Sequence, residues 1–553
     1  MSMTKGSSAS AIGARGFALR IPGAAVTVPL ALLLLTLLGF KAVRKLVFVA
    51  SQSELHAFLM VLACCAGAAV FVGIRYAMMP HLLRAVVRGI GVVVLAQVLF
   101  DTLAPVPPAP NVLFGEANGH ELFFRYGGMV AIATGIVAMW RPSFLVPMFA
   151  WYIAFRLLIG PLAGIPVVDT DFLNMLDTGL FAVVGGLFVI TITSDWALQR
   201  APWLRACMAG LAPAELRLAA CSLLWACAVG AHLGNYFCSG LAKLLAGGEA
   251  PWTWLVGNPT QTAMVIGLER GNSPLATFPV LLQWVWDSIS NNAVAFNIFV
   301  LGAQLLAPIA ILRLRWLLVF TLLFDAFHVG VYLTLGALFH FWIAVNLIVY
   351  SSAWRLKESD VTPLMKAVCV ATVLFGNLVF YTNWLGWLDG AKLASPQFYA
   401  ETRDGRSVLM PQVYYGIYNY TIAQAAMYIP DGHFSFRIGG NNLDRATWED
   451  ARNCGPATTP HQDTGVSLAA VENLVRDTHR FMQAYPAIKD HNLYYFYPHH
   501  MQPNPWVFRE FNRLKLEDIV AYRYVVESVC LDLRDGELKR DVRLRSEYLY
   551  DVR

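Results

Sequence analysis

Long apolar runs separated by short polar connections fill the first 387 residues of this 553-residue chain. Many of these runs reach or approach the roughly 20 apolar residues that a membrane-spanning helix needs. The candidate spans are 21–40, 55–79, 85–105, 123–141, 143–164, 176–196, 216–243, 294–313, 316–337, 338–353 and 363–385. The stretch 258–293 carries several prolines and indicates a loop with re-entrant or interfacial pieces. The pattern predicts a mainly α polytopic membrane protein with about 9–12 membrane-spanning helices.

The pattern changes after residue 387, where polar, charged and aromatic residues replace the apolar runs. Residues 406–428 and 433–438 alternate as strands do, and 465–485 has the spacing of an amphipathic helix. Two further strand-like stretches, 522–533 and 537–550, flank Asp535-Gly536, a strong hairpin-turn signal. We therefore expect an N-terminal segment at 1–20, a membrane domain at 21–387 and an α+β extramembrane domain at 388–553.

Composition supports a membrane protein over a soluble globular one. The chain is 57% hydrophobic and 14% charged, with a mean hydropathy of +0.52. Its net charge of +5 is spread over many loops, so no nucleic-acid partner is predicted. Cysteine spacing suggests no metal site, and His491, His499 and His500 alone are weak evidence for one. Cys454 and Cys530, the only cysteines after residue 387, could form a disulfide in an oxidising compartment or remain free thiols.

The distribution of basic residues predicts an orientation. Arginine and lysine mark alternate connections, at 84–88, 200–217, 313–315 and 355–366. Positive loops face the cytoplasm, so the N-terminus should be cytoplasmic and the C-terminal domain outside, in a bacterial inner membrane. Lys41, Arg44 and Lys45 lie on the outer side in this scheme and break the rule.

A strip of polar residues on the predicted span 216–243 is the main candidate for chemistry. His232, Asn235, Tyr236, Ser239 and Lys243 are spaced by three and four residues and share one helix face. Ionisable groups within a membrane are costly, and they usually face a bundle interior or a wet cavity. The alternative is that the amine simply reaches the lipid headgroups from the helix end.

Three more ionisable residues lie within predicted spans. Arg156 stands in the middle of WYIAFRLLIG, and Asp325 and His328 lie three residues apart in TLLFDAFHVG. An isolated charge would cost several kcal/mol in the membrane, so we expect Asp325 to pair with Arg156 or His328. Such a pair could be architectural or catalytic.

Two segments carry a resemblance to a known family. YFCSGLAKL, followed by Trp252 and Trp254, resembles the Tyr-Phe-x-x-Gly-x-x-Lys segment of vitamin K-dependent gamma-carboxylases and their bacterial relatives, the HTTM (horizontally transferred transmembrane) superfamily. Downstream, Phe327-His328 resembles the Phe-His dipeptide of the family's paired helices. The matches cover roughly residues 90–350.

The resemblance implies a membrane lyase that uses a reduced quinone, oxygen and carbon dioxide to modify an outward-facing peptide or protein substrate. Lys243 would be the base, a role that needs a neutral amine, which burial favours. Helix geometry adds His232 and Tyr236 as catalytic candidates. The candidates for binding the substrate or the quinone are Asn235, Ser239, Trp252, Asn174 and Asp177.

One family feature is missing. In VVDTDFLNMLDTGLF the family's Asp-x-x-x-Trp-Asn-Asn-His-like segment corresponds to Asp169, Asp171, Asn174 and Asp177, and Met175 follows Asn174 in place of a histidine. Asp171 or Asn174 could equally cap a helix. The alternative function is therefore a non-catalytic membrane transporter or an export or maturation partner with a degenerate site.

Overall fold

Helices form most of the chain up to residue 378. The computed structural model describes residues 23–103, 122–162, 171–246, 250–415, 427–434, 445–455, 466–484 and 501–552. The first nine helices are α1 (Ala24–Ala50), α2 (Glu54–Val70), α3 (His81–Leu103), α4 (Gly128–Ala138), α5 (Leu145–Leu162), α6 (Asp171–Ile192), α7 (Asp195–Arg200), α8 (Trp203–Cys207) and α9 (Pro213–Leu245). The next seven are α10 (Thr253–Gly257), α11 (Thr262–Glu269), α12 (Pro279–Asn291), α13 (Ala293–Leu305), α14 (Leu314–Leu335), α15 (His340–Ala353) and α16 (Pro363–Phe375).

Five helices in the described ranges are long and apolar enough to cross a membrane. They are α1, α3, α9, α14 and the Leu173–Ile192 part of α6. Shorter apolar helices accompany them: α2, α4, α13, α15 and the stretches Pro142–Leu158 and Pro363–Leu378. The chain is thus mostly helical, and its long apolar helices suggest a membrane protein, as the apolar runs predict.

Three predicted spans end early. The run 55–79 is helical only to Val70. The run 294–313 is interrupted after Leu305 by a 3₁₀ turn, Ala307–Leu312, whose Pro308 has no N–H to continue an α-helix. The α-helix of the run 363–385 stops at Phe375, and a 3₁₀ turn follows to Leu378. Residues 381–390 form neither helix nor strand, and side chains of other helices bond to the backbone of Tyr381 and Asn383.

Helix α9 is the centre of the helical part. Every residue from Leu223 to Tyr236 is buried. The helix packs against α1, α3, α6, α13 and α16. A polar side chain on α9 therefore meets protein on most sides, which sets the environment of the candidate site.

The C-terminal part contains one antiparallel sheet in the order β2-β1-β3-β4. Its strands are β1 (Lys392–Thr402), β2 (Ser407–Met410), β3 (Ile519–Arg534) and β4 (Glu537–Asp551). Asp535 and Gly536 have φ of 57° and 74°, the left-handed conformations that a tight two-residue hairpin requires. The predicted hairpin is confirmed, whereas β1 was not predicted.

Two helices accompany the sheet, α17 (Arg445–Arg452) and α18 (Leu468–Ala484). The second confirms the amphipathic helix predicted at 465–485. Of the strand predicted at 406–428, only β2 is a strand among the described residues. The strand predicted at 433–438 lies largely outside them. Cys454 and Cys530 form a disulfide, with Cα atoms 5.9 Å apart.

Glu269, at the end of α11, ties the sheet to the helices. Its buried carboxylate accepts hydrogen bonds from Nε of Arg540 at 2.8 Å and from Nη2 at 2.9 Å, a bidentate arrangement. Ser395 Oγ, on β1, donates to the same carboxylate at 2.6 Å. The sheet therefore rests directly on the short helices of the 258–293 stretch.

Candidate functional site

The polar face of α9 divides between two neighbours. Successive residues of an α-helix are about 100° apart, so Asn235 and Tyr236 point in different directions although both belong to the predicted face. Tyr236 and His232 face α14 and α15. Asn235, Ser239 and Lys243 face residues 379–389, which follow α16. All five side chains are buried.

Asn346, on α15, joins the first group. Its Oδ1 lies 2.8 Å from Nε2 of His232, and its Nδ2 donates to the hydroxyl of Tyr236 at 2.9 Å. The same Nδ2 donates to Oδ1 of Asp325 at 2.7 Å. We call His232, Tyr236, Asp325 and Asn346 the Asn346 centre. Asn346 is fully buried, and every polar atom of its side chain has a partner.

The hydrogen-bond pattern assigns the tautomer of His232. A carboxylate only accepts, so the amide nitrogen of Asn346 must face Asp325, and its oxygen must face His232. Nε2 of His232 then carries the proton, and Nδ1 is left as the basic nitrogen. No hydrogen bond to that Nδ1 exists within the described ranges.

Aromatic rings enclose the centre. The ring of Tyr236 stacks on Phe324 with centroids 3.7 Å apart, and it meets Trp342 edge-on at 5.2 Å. His328 lies 5.8 Å from Tyr236 and 5.6 Å from Trp342, centroid to centroid. Its Nδ1 is buried and has no hydrogen-bond partner in the described part of the chain.

A small cavity of about 10 Å³, room for about one water molecule, adjoins the centre. Its lining consists of Asn174, Met175, His232, Phe341, Trp342 and Val345. Two polar side chains thus face an otherwise apolar and aromatic space, the usual composition of a site for a small organic molecule.

The expected ion pair of Asp325 is replaced by a neutral contact. Asp325 bonds to the amide of Asn346, and neither Arg156 nor His328 forms an ion pair with it in the described structure. Arg156 is buried on α5, a helix that packs against α2, α4 and α6. Sequence spacing could place Asp325 inside the bundle, but it could not identify its partner.

The second group of polar residues holds residues 379–389, which we call the anchored segment. Asn174 Nδ2 donates to the carbonyl of Tyr381 at 2.5 Å, and the N–H of Tyr381 donates to Asp177 at 2.7 Å. Nε of Arg44 lies 3.0 Å from the same Asp177 carboxylate, and Nη1 donates to the carbonyl of Val379. Arg44, one of the three basic residues that break the loop-charge rule, therefore has an acidic partner within the fold.

Helix α9 holds the middle of the anchored segment. The N–H of Asn383 donates to Oδ1 of Asn235 at 3.0 Å. The N–H of Leu385 donates to Oγ of Ser239 at 3.3 Å, and Nζ of Lys243 donates to the carbonyl of Leu385 at 2.8 Å.

Gly386 allows the close approach of this segment to α9, because a Cβ there would lie 2.4 Å from the carbonyl oxygen of Ala242. The backbone groups of three alternate residues, Tyr381, Asn383 and Leu385, bond to side chains of the helices.

The amine of Lys243 lies near the rings of two tryptophans and does not reach outward from the helix end. It is 7% exposed, and its Nζ lies 5.7 Å from the ring centre of Trp254 and 5.6 Å from that of Trp387. A weaker contact joins Nζ to the carbonyl of Ser239 at 3.4 Å. Carbonyl oxygens and indole faces are contacts that an ammonium makes. Lys243 therefore has the contacts of an internal anchor.

Asp389 ends the anchored segment beside Lys243. Its carboxylate accepts from Nδ2 of Asn258 at 2.7 Å and from Nε1 of Trp387 at 3.1 Å. Burial raises the pKa of the Asp389 carboxyl to about 6, although these hydrogen bonds and Lys243 oppose the rise. Sequence reasoning did not single out Asp389, Asn258 or Trp387, because Asn258 and Asp389 meet only across 131 positions of the chain.

Several predicted residues fall outside both groups. Trp252, a candidate for binding the substrate or the quinone, is 61% exposed, whereas Trp254 lies beside Lys243. Asp169 lies outside the described residues, as do the three histidines at 491, 499 and 500, and the side chain of Asp171 is also outside them. Within the described ranges no group of three or more His, Cys, Asp or Glu could hold a metal ion.

Comparison with known proteins adds nothing to this geometry. No protein-family model matches the chain, and neither a curated protein nor a solved structure matches it significantly.

Proposed function

We propose that this chain is a polytopic integral membrane enzyme resembling the vitamin K-dependent gamma-carboxylases. It would use a reduced quinone, oxygen and carbon dioxide to modify a peptide or protein substrate on the side that carries the sheet. The observation that supports this most is the Asn346 centre beside an apolar cavity. Buried ionisable groups within apolar helices are costly, and they are typical of functional sites.

The side chains that line the cavity offer the kinds of contact that a quinone head group makes. Phe341 and Trp342 offer ring faces for stacking, while Asn174 and His232 offer polar contacts to ring oxygens. Its volume of about 10 Å³ holds about one water molecule, so a quinone ring would enter only with a movement of the lining side chains, its isoprenoid tail staying in the lipid. A reduced quinone bound there would supply the reducing equivalents for oxygen.

Proton transfer would fall to His232. Its Nε2–H is held by Asn346, which leaves Nδ1 as the acceptor on a ring that lines the cavity. Asp325, on the other side of Asn346, would offset the positive charge that His232 gains with the proton. Tyr236 and the aromatic wall exclude water from the reacting groups.

Lys243 as the base stays a prediction. It lies 11 residues after His232 on the same helix, about 16 Å along the axis at 1.5 Å per residue. One quinone ring cannot contact both groups at that separation. The geometry therefore favours His232 as the proton acceptor for a ring in the cavity and Lys243 as an anchor.

Turnover by purified protein tests this proposal. The assay follows oxygen uptake and quinone epoxide formation after addition of a reduced naphthoquinone. His232→Gln keeps an N–H for Asn346 but cannot accept a proton, so it should fold normally and lose turnover. A well-folded wild type without quinol-dependent oxygen uptake would contradict the proposal.

A second function, a non-catalytic transporter or export partner, is favoured by a different observation. Asn174, Asp177, Asn235, Ser239 and Lys243 all bind the backbone of this chain itself. On this alternative, the wild type has no quinol-dependent activity, and substitutions at the Asn346 centre change only stability.

The proposed orientation puts the N-terminus in the cytoplasm and the sheet outside a bacterial inner membrane. The pairing of Arg44 with Asp177 supports it, since an arginine held within the fold is a weaker exception to the loop-charge rule. Reporter fusions at the two termini test this orientation, and a cytoplasmic C-terminus would overturn it.

A further inference from the structure

Exposed apolar side chains occur on two distant parts of the chain that are both attached near the end of α14. Phe278, Val280 and Trp284 are 60%, 84% and 65% exposed, and Trp506 is 70% exposed. Together with Leu281, which is 46% exposed, we call these residues the aromatic patch.

Hydrogen bonds join the segments that precede its two parts. Asn504 Nδ2 donates to the carbonyl of Ser273 at 2.9 Å, and Oγ of Ser273 donates to the carbonyl of Leu333 at 3.1 Å.

Helix α12, which carries most of the patch, is amphipathic and too short to span a bilayer. Leu282 points inward and is 1% exposed, whereas Val280, Leu281 and Trp284 point outward. The helix has 13 residues, hence a length of about 20 Å, against a hydrocarbon core of about 30 Å. Short amphipathic helices with Trp on the apolar face are typical of membrane surfaces.

The apolar surface of α14 is continuous with the patch. Although α14 is strongly apolar, only 22% of its most apolar stretch is buried inside the protein. Val319 and Val329 are 60% and 46% exposed on it, a surface that lipid would cover in a membrane. The exposed side reaches Leu333 in the last turn, where Ser273 attaches the patch. The patch thus begins at the level where a candidate span ends.

The sheet contacts helix α12 from another side. The N–H of Gly536, at the tip of the hairpin, donates to Oε1 of Gln283 at 2.8 Å. A Cβ at Gly536 would lie 2.6 Å from the carbonyl oxygen of Pro279, so hairpin and helix are in direct backbone contact. The position of α12 therefore determines the position of the hairpin.

We propose that the aromatic patch is a membrane-surface anchor that inserts among the lipid headgroups and seats the C-terminal sheet on the bilayer. Tryptophan is enriched at this depth because its ring is apolar while its N–H is polar. The inference does not depend on the enzymatic activity proposed above.

Photocrosslinking in lipid nanodiscs tests this proposal. Benzoylphenylalanine replaces Trp284 or Trp506 in the full chain, and lipid adducts are measured by mass spectrometry after illumination. The matched control carries the crosslinker in place of Leu549, which is 66% exposed near the far end of β4. We expect several-fold more lipid adduct at both patch positions than at the control.

Two results would overturn the proposal. Lipid adducts at the level of the Leu549 control would mean that the patch faces water. Adducts to a second copy of the chain instead of lipid would make the patch a protein interface.

Discussion

Replacing Lys243 by methionine separates an anchoring role from a catalytic one. Methionine keeps most of the aliphatic stem, so packing changes little, but the amine and its charge are lost. The buried carbonyl of Leu385 then loses its donor, which should cost about 1–3 kcal/mol. Two cation–π contacts near the distance limit add about 0.5 kcal/mol each. Together we expect a loss of about 2–4 kcal/mol of folding free energy.

Thermal unfolding of the purified protein and protease sensitivity of residues 379–391 measure this loss. Lys366→Met is a matched control, because Lys366 also donates to a backbone carbonyl at 2.8 Å but does so at the surface. That control should change stability by less than about 1 kcal/mol. Lys243→Met should lower the unfolding temperature clearly further and expose the anchored segment to cleavage.

The opposite pattern would refute the reasoning. If Lys243→Met unfolds at the same temperature as the control while quinol-dependent turnover disappears, then Lys243 is the base and the anchoring argument is wrong.

Three further predictions concern the rest of the buried polar network. Asn346→Leu leaves the buried partners of Asn346 without hydrogen bonds and should destabilise the protein by about 2–5 kcal/mol in thermal unfolding. The exposed Asn291→Leu should not, and equal effects would contradict the role of Asn346 in joining His232, Tyr236 and Asp325. A double-mutant cycle of Arg44→Met with Asp177→Asn should give a coupling of about 0.5–3 kcal/mol, and additive effects would exclude the pair. Burial lowers the pKa of His479 from 6.5 to about 4, so folding stability should fall as pH drops through that window, and His479→Gln should flatten the pH profile of unfolding.

The hydrophobic pattern predicts helices well where packing only has to bury an apolar surface. The runs around α1, α3, α6, α9 and α14 are so long and apolar that length and composition alone predict a helix. The Asp535-Gly536 hairpin is predictable for a similar reason, because its turn chemistry is local. Such features need no knowledge of distant residues.

The anchored segment could not be predicted because its conformation depends on distant side chains. Residues 379–389 are apolar and aromatic, and they read as the continuation of α16. Asn174 and Asp177, about 200 positions earlier, supply hydrogen bonds to its backbone in place of those that a helix would make.

Only part of the candidate site could be predicted from the sequence. Spacing correctly grouped His232 and Tyr236 with Lys243 on one helix, but a shared face does not mean a shared neighbour. Asn346 was missed although it lies in the apolar FWIAVNLIVY, where the rule that singled out Asp325 applies equally to a buried amide.

The most direct test of the account compares His232→Gln with Lys243→Met in one assay of quinol-dependent oxygen uptake, with both variants checked for folding. We expect His232→Gln to abolish turnover, because the proton acceptor beside the cavity is gone, and folded Lys243→Met to retain it. Turnover that survives in His232→Gln and disappears in Lys243→Met would contradict the Asn346 centre as the site of proton transfer.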